Sequence, residues 1–422
     1  MTFLRPLAVL ALSIALLGGG QGAWAQAQPG TQPAVGPVAP ERDRLRMNQR
    51  VFDAVWREVR DDYYDPDTNG VDWRAARSRF RPMAEAAQSD AELYRVLDQM
   101  LDMLDDRHAA AASPAAVQRR NAQRTRRPVI GVTLSRQDNG DYLIERVRPG
   151  SAAAEAGVMV GWRLPFDPDG WSPDFDVVVG EPVRVTLLDE TGRAHDLTLE
   201  PRIMDPVPAF SADRSRPGVL VLRVDGFEQG LGIWMGEQLT GLAPETDVVL
   251  DLRGNPGGRL AEAEALLGCF LPGQQTWAAR TDRSGRRTAL RTDTPCGALR
   301  DPVGNDVVVL VDAASRSAAE LTPAALQEAG RAVVIGQRTG GSVLISTETT
   351  LPDGGVLTLS RADFVTHGGV RLEKIGVMPD LEVETTLDDR RSGRDPVMVV
   401  ALAVLEPQDE TAQSRVPSPI SP

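Results

Sequence analysis

The feature that most restricts the fold of this chain is a series of short apolar runs in its second half, each followed by a turn and then a helix-like segment. The runs Val219–Val224, Asp247–Leu252 and Asp306–Asp312 have the length and the valine and leucine content of buried strands. Strands that alternate with helices are typical of a layered α/β core. The chain has 422 residues, which is enough for two or three domains, so we expect other domains beside this core.

The start of the chain predicts export. A positively charged start precedes an apolar run that is too short to span a bilayer, and the A-W-A sequence ending at Ala25 fits a signal peptidase site. We predict a signal peptide over residues 1–25, a flexible linker over residues 26–41, and a periplasmic or secreted location. The alternative is that the apolar run is retained as a membrane anchor.

Charge and cysteine content narrow the range of partners. The net charge of −13 argues against nucleic acid or an anionic membrane surface as the main partner. Cys269 and Cys296 are the only cysteines, and we predict that they pair in an oxidising compartment, with two buried thiols as the alternative. With three histidines and no CxxC motif, a metal site of the zinc type is not expected.

The patterning divides the remaining chain into four parts. Residues 42–127 have apolar side chains at helical spacing, and residues 128–203 consist of short β-rich runs separated by turns. Residues 204–404 hold the α/β pattern, and residues 405–422 form a Ser/Pro-rich tail. In the first part, Ser89-Asp90-Ala91-Glu92 has the form of a capping box, and the helix that it starts should end near His108.

Two strand ends carry residues with catalytic potential. The strand ending at Leu252 runs into Gly257 and Gly258, and glycine lets backbone N–H groups face an anion or an oxyanion. Ser317 lies where a later strand becomes a helix, with the N–H of Ala318 beside it. Each feature also has a structural explanation: the glycines permit a tight strand–helix turn, and the serine caps the N-terminus of the helix.

His108 is the candidate base for a serine nucleophile, since histidine is the commonest partner of such a serine. It follows a helix end among charged residues, where a histidine can also be a surface residue that the helix dipole stabilises. A base with a near-normal pKa would lose activity as the pH falls through about 6.5.

Together these segments resemble the C-terminal-processing peptidases (tail-specific proteases) and the related tricorn core protease. Asp251–Gly258 is similar to the family motif D-L-R-x-N-P-G-G, and Ser315–Glu320 is similar to S-A-S-A-S-E, whose middle serine is the nucleophile. Leu104–His108 resembles the motif L-x-D-x-H, and Gly376–Asp380 matches G-V-x-P-D. The resemblance covers residues 45–385 or so.

The resemblance implies an α/β, multidomain fold: an N-terminal helical domain, a PDZ-like β domain and a crotonase/ClpP-like α/β catalytic domain. It implies Ser317 as nucleophile and His108 as general base, with an oxyanion hole from the amides of Gly257 and Ala318 and with Gly258 as a close second to Gly257. It also implies that the PDZ-like domain binds a substrate C-terminus at a carboxylate-binding loop, which consists of Ile130, Gly131 and Val132.

The chain departs from the family at the position of the catalytic lysine. Ser342 holds the place of the lysine that bacterial tail-specific proteases pair with their serine, and Lys374 is the only lysine in the chain. The tricorn branch instead uses a histidine, matching His108, and a glutamate, matching Glu373. The alternative for Glu373 is a surface charge beside Lys374. Tricorn has a serine before the histidine, where this chain has Arg107.

The sequence therefore predicts an exported serine endopeptidase that acts on polypeptides with free C-termini and needs no cofactor; a homo-oligomer is compatible with it. Two alternatives stay open. One is a catalytically inactive, PDZ-containing peptide-binding protein, which the lost lysine and the altered serine motif permit. The other is a Ser–Lys peptidase that uses Lys374.

Overall fold

A computed structural model describes residues 41–122, 125–137, 140–166 and 177–406. The predicted signal peptide, nearly all of the predicted linker and most of the predicted tail lie outside the described residues. Within the described ranges, no helix combines the length and the apolar character that crossing a membrane requires.

The N-terminal region is built from helices whose apolar faces pack together. The residues that recur at helical spacing, among them Val51, Phe52 and Val55, are fully buried. Trp56 and Trp73 join the first two helices, because each indole N–H donates to the backbone carbonyl of the other residue. Ser89 caps the third helix, as the sequence predicts, by accepting a hydrogen bond from the Glu92 amide. The helices are α1 (Arg42–Asp62), α2 (Trp73–Ala86), α3 (Asp90–Leu101) and α4 (Pro114–Ala122).

A short strand in this region, β1 (Ala110–Ala112), joins it to the last part of the chain. The sequence predicts helix and loop here, since an alanine run carries no strand signal. The strand pairs antiparallel with β17 (Val356–Thr366), and the N-terminal apolar cluster includes Leu351, Leu357 and Leu359. His108 therefore lies two residues before a strand that is fixed to the C-terminal half.

The middle region is a five-stranded antiparallel sheet with a small apolar core. Its strands follow one another as β3-β4-β5-β6-β7, so β3 is an edge strand. The sequence predicts one continuous strand over Val129–Leu134, but the backbone breaks at Gly131, which has φ +90°. The elements are β2 (Arg127–Val129), β3 (Val132–Arg136), β4 (Tyr142–Val147), α5 (Ala152–Glu155), β5 (Arg163–Leu164), β6 (Val183–Leu188), β7 (Ala194–Leu199) and β8 (Arg202–Met204), with β2 paired to β8.

The C-terminal region contains a six-stranded sheet in the order β18-β15-β14-β11-β10-β9, parallel except for β9. All five residues of β14 are buried, because helices cover both faces of the sheet. The strands are β9 (Phe210–Asp213), β10 (Val219–Val224), β11 (Asp247–Asp251), β14 (Val307–Val311), β15 (Val333–Gly336) and β18 (Leu381–Glu382). The helices are α6 (Leu231–Leu239), α7 (Leu260–Leu267), α8 (Ala318–Glu328), α9 (Leu387–Ser392) and α10 (Pro396–Leu405).

A second sheet runs β1-β17-β12-β13, with β16 also paired to β17. Its remaining strands are β12 (Thr276–Asp282), β13 (Arg287–Arg291) and β16 (Ile345–Thr350). The β16–β17 pair is the hairpin that the sequence predicts around Asp353-Gly354-Gly355, whereas the sequence gives no sign of the β12–β13 hairpin.

The neighbouring strands β11 and β14 end at the same edge of the parallel sheet, where Asp251 is in register with Leu310. The loops that follow them carry the glycine pair and Ser317. In open α/β sheets, ligands bind at the carboxyl ends of the parallel strands, so a functional site is expected at this edge.

Candidate active site

Ser317 stands at the N-terminus of α8 in a backbone conformation that is rare for a residue with a side chain. Its φ of 54° and ψ of −121° lie outside the favoured regions, and such a conformation costs about 1 to 3 kcal/mol. The Ser317 N–H lies 2.8 Å from the carbonyl oxygen of Ser342 and 3.0 Å from Glu320 Oε2. The surrounding groups thus hold the serine in place, which is typical of a functional residue.

Glu320 is the carboxylate that organises this corner. It is fully buried, and besides the Ser317 amide it accepts hydrogen bonds from Thr339 Oγ1 (2.5 Å), the Gly341 amide (2.7 Å) and the Ser342 amide (2.8 Å). One side chain therefore connects the Ser317 turn to the 339–342 loop.

The glycine loop after β11 abuts the Ser317 turn. Asn255 is buried and accepts a hydrogen bond at its carbonyl oxygen from the Arg316 amide, at 2.9 Å. A Cβ on Gly257 would lie 2.7 Å from Ser317 Cβ, a distance at which atoms collide. Only glycine fits there, which gives the D-L-R-x-N-P-G-G pattern a direct steric reason.

The two glycines differ in what their amides do. The Gly257 N–H donates to Asn255 Oδ1 at 2.7 Å, so this amide is already engaged. In the described part of the chain, neither the Gly258 N–H nor the Ala318 N–H has a hydrogen-bond acceptor. The geometry therefore favours Gly258 over Gly257 as the partner of Ala318 in an oxyanion hole, the reverse of the order expected from the sequence.

His108 interacts electrostatically with Glu320 and Arg316, and its imidazole is mostly buried, with 15 % of the side chain exposed. Burial lowers the pKa of His108 below its usual value; the carboxylates of Asp106 and Glu320 raise it, and the Arg316 guanidinium lowers it. The interactions with Glu320 and Arg316 link His108 to the residues that flank Ser317. The neighbouring Arg107 donates to the Gly340 carbonyl at 2.7 Å and so braces the same loop.

Asp106 was not singled out in the sequence, although the L-x-D-x-H pattern contains it. Its carboxylate is completely buried and lies 3.8 Å from His108 Nδ1, measured at Oδ1. The same oxygen accepts the backbone N–H of His108 at 2.9 Å. Within the described residues, Asp106 Oδ2 and His108 Nδ1 are both buried without a hydrogen-bond partner.

Glu373 is also buried, and the interpretation that it is a surface charge beside Lys374 is wrong. Its Oε2 accepts hydrogen bonds from the amides of Val343 (2.8 Å) and Leu344 (3.3 Å). Burial raises the pKa of Glu373, and the charge of Asp106 raises it further. The hydrogen bonds from the two amides and the charge of Arg371 lower it, but the net direction is upward. In the described residues Glu373 makes no hydrogen bond or ion pair with His108, but it interacts electrostatically with Asp106.

Ser342 and Lys374 are the two residues that bear on whether a lysine or a histidine acts as the base. Ser342, at the family's lysine position, is buried, and its Oγ has no hydrogen-bond partner among the described residues. The Lys374 side chain is 54 % exposed and forms an ion pair with Asp105.

Cys269 and Cys296 are joined by a disulfide in the structure. It connects the end of α7 to the segment before β14 and closes off the β12–β13 hairpin. Across the described ranges, no group of three or more His, Cys, Asp or Glu side chains is arranged to hold a metal ion.

Comparisons with known proteins find similarity to peptidases. Residues 218–383 match the model of peptidase family S41, and residues 47–102 match the tricorn protease C1 domain. The chain is 26 % identical to tricorn protease homolog 1 of Streptomyces coelicolor over 88 % of its own length, but it spans only 36 % of that protein. It is 24 % identical to carboxyl-terminal-processing peptidase 3, chloroplastic, of Arabidopsis thaliana, over 84 % of this chain and 72 % of the relative.

Among solved structures, the photosystem II D1 C-terminal processing protease has the same fold. Its TM-score is 0.56 at 23 % identity, over 80 % of this chain and 93 % of that one.

Proposed function

Residues 218–383 match the model of peptidase family S41, and we propose from that premise that the chain is an exported serine endopeptidase of this family with Ser317 as nucleophile and His108 as general base. The observation that carries the proposal is the Ser317 turn, strained at the start of α8 and packed against Gly257. Its substrates are polypeptides, and the enzyme acts in the periplasm or outside the cell.

Each residue has a role in an acyl-transfer reaction. Ser317 Oγ attacks the peptide carbonyl while His108 takes its proton, and His108 later gives that proton to the leaving amine. The amides of Gly258 and Ala318 hold the developing oxyanion, and each donor contributes about 3 kcal/mol to lowering the barrier. In this scheme Glu373 supports the 343–344 backbone behind the site, and the resemblance to tricorn makes it the expected orienting carboxylate.

A histidine base fits this site better than a lysine. Lys374 is exposed, and its ammonium group is engaged in an ion pair with Asp105. Ser342 carries no basic group. His108, by contrast, is buried, and its lowered pKa keeps it neutral and ready to accept a proton at neutral pH.

The region over residues 128–203 is proposed to be a PDZ-like domain that binds substrate C-termini. Its edge strand β3 pairs only with β4 within the described residues, which leaves one side for an added peptide strand. Ile130-Gly131-Val132 lies at the start of β3, where backbone amides would meet a terminal carboxylate.

A pair of glycine variants tests this binding site. Gly131 and Gly140 both have φ near +90°, but a Cβ on Gly131 would lie 2.0 Å from Ser151 Cβ, whereas one on Gly140 would meet nothing closer than 3.8 Å. Gly131→Ala should therefore displace the loop and lose binding of peptides with a free carboxylate, and Gly140→Ala should keep it. Equal affinity of the wild type for a peptide and its C-terminal amide would contradict the carboxylate role.

Hydrolysis of an unfolded protein tests the catalytic proposal. The mature chain should release peptides whose new ends are identified by mass spectrometry, and the matched Ser317→Ala protein should release none. A wild-type protein that binds free C-termini without cutting would instead favour the inactive peptide-binding alternative.

A further inference from the structure

The Nδ1 atom of His108 needs a partner if the ring is to act as a base, and a buried carboxylate lies on that side of the ring. We propose that Asp106 is the positioning residue of the site: it holds Nδ1–H, so that Nε2 is left for the Ser317 proton. The proposal rests on the serine-peptidase mechanism above, and it gives the orienting role to Asp106 instead of Glu373.

The geometry needs only a small adjustment to form this contact. Asp106 Oδ1 already accepts the His108 backbone N–H at 2.9 Å, which anchors the carboxylate beside the ring. The distance of 3.8 Å from this oxygen to Nδ1 is about 1 Å longer than a hydrogen bond. Catalytic hydrogen bonds are often long in unliganded enzymes and tighten when substrate binds. His108 Nδ1, which is buried without a partner among the described residues, would gain one from that movement.

The other charged groups around His108 cannot take this role. Glu320 influences the ring, but its two oxygens already receive four hydrogen bonds. Arg316 also faces the ring, and it is a cation that disfavours the imidazolium. Glu373 interacts with Asp106, and its Oε2 is occupied by two backbone amides.

Asp106 also interacts with titratable groups other than His108. These groups are Tyr63, Tyr64 and Glu373, and the charge of Asp106 raises the pKa of each of them. Burial raises the pKa of Glu373 as well.

Nitrogen NMR of ¹⁵N-histidine-labelled protein tests the assignment directly, since the chain has only three histidines. His108 is assigned by its loss in His108→Gln. In the wild type above its pKa, the proposal requires the Nδ1–H tautomer of His108. An Nε2–H tautomer would overturn it, and this test needs no variant of Asp106.

Asp106→Asn adds a second test. Loss of the Asp106 charge should lower the pKa of His108 by about 1 to 3 units, which moves the acid limb of the kcat/KM profile to lower pH by the same amount. The kcat at pH 7 should fall by about 10³ to 10⁴, as when a triad aspartate becomes asparagine elsewhere, with little change in KM. Asp106→Glu, which keeps the charge, should restore the pKa and part of kcat.

Asp105→Asn is the matched control. Asp105 is the adjacent aspartate, its side chain is 85 % exposed, and it pairs with Lys374. This change should leave the His108 pKa and kcat as in the wild type. If Glu373→Gln lowers the His108 pKa while Asp106→Asn behaves like Asp105→Asn, the orienting carboxylate is Glu373 and the inference is wrong. Failure of the proposed function is distinct, because it would appear as full activity in Ser317→Ala.

Discussion

The replacement of Glu320 by alanine should destabilise the fold by about 3 kcal/mol. The change removes the acceptor of four hydrogen bonds in a fully buried position. The Ser317 amide keeps its bond to the Ser342 carbonyl, so three donors lose their acceptor: Thr339 Oγ1, the Gly341 amide and the Ser342 amide. A buried donor without a partner costs about 1 to 3 kcal/mol. Water can enter the space that the side chain leaves, so we take the lower limit of about 1 kcal/mol for each of the three donors, which gives about 3 kcal/mol in total.

Urea unfolding measures this loss as a shift of the midpoint multiplied by the slope of the transition. Glu328→Ala is the control, since Glu328 lies in the same helix but is exposed and accepts one hydrogen bond, from the Gly368 amide at 3.1 Å. Its cost should stay below about 0.5 kcal/mol. Equal midpoints for the two variants would refute the view that Glu320 holds the Ser317 turn in place.

Three further outcomes follow from the site and its surroundings. His108→Ala should lose several orders of magnitude in kcat, whereas Lys374→Ala should stay active; the opposite pattern in a peptide assay would restore a Ser–Lys mechanism. A base must be neutral, so activity should fall as the pH drops through the pKa of His108, and burial places this loss below the pH 6.5 of an ordinary histidine; an acid limb above 6.5 in the kcat/KM profile would contradict the burial argument. Non-reduced digests of exported protein should contain the linked Cys269 and Cys296 peptides, and its reduction should cost about 3 kcal/mol of stability; two freely alkylated cysteines would reject the bond.

The elements that carry the site were largely predictable from local pattern. The strand runs ending near Asp251 and Asp312 and the helix after Ser317 follow from apolar length, glycine position and capping chemistry. The same is true of the β16–β17 hairpin, which a D-G-G sequence predicts. In each of these, the residues that define the element are close together in sequence.

The interactions that could not be predicted join distant parts of the chain. The pairing of β1 with β17 brings an alanine run, which has no strand propensity of its own, against a strand more than two hundred residues away. This pairing fixes the strand that begins two residues after His108 to the C-terminal half. The choice between Gly257 and Gly258 depends on a hydrogen bond to Asn255 Oδ1, which no spacing rule reveals.

The measurement that tests the central claim most directly is the site of covalent labelling by a fluorophosphonate probe, mapped by mass spectrometry on the mature protein. Such a probe reacts with a serine that a neighbouring base activates. The account predicts that the label lies on Ser317 alone, that Ser317→Ala is unlabelled and that His108→Ala is labelled far more slowly. Labelling of Ser315 or Ser342 instead, or an unlabelled wild type that is correctly folded, would contradict it.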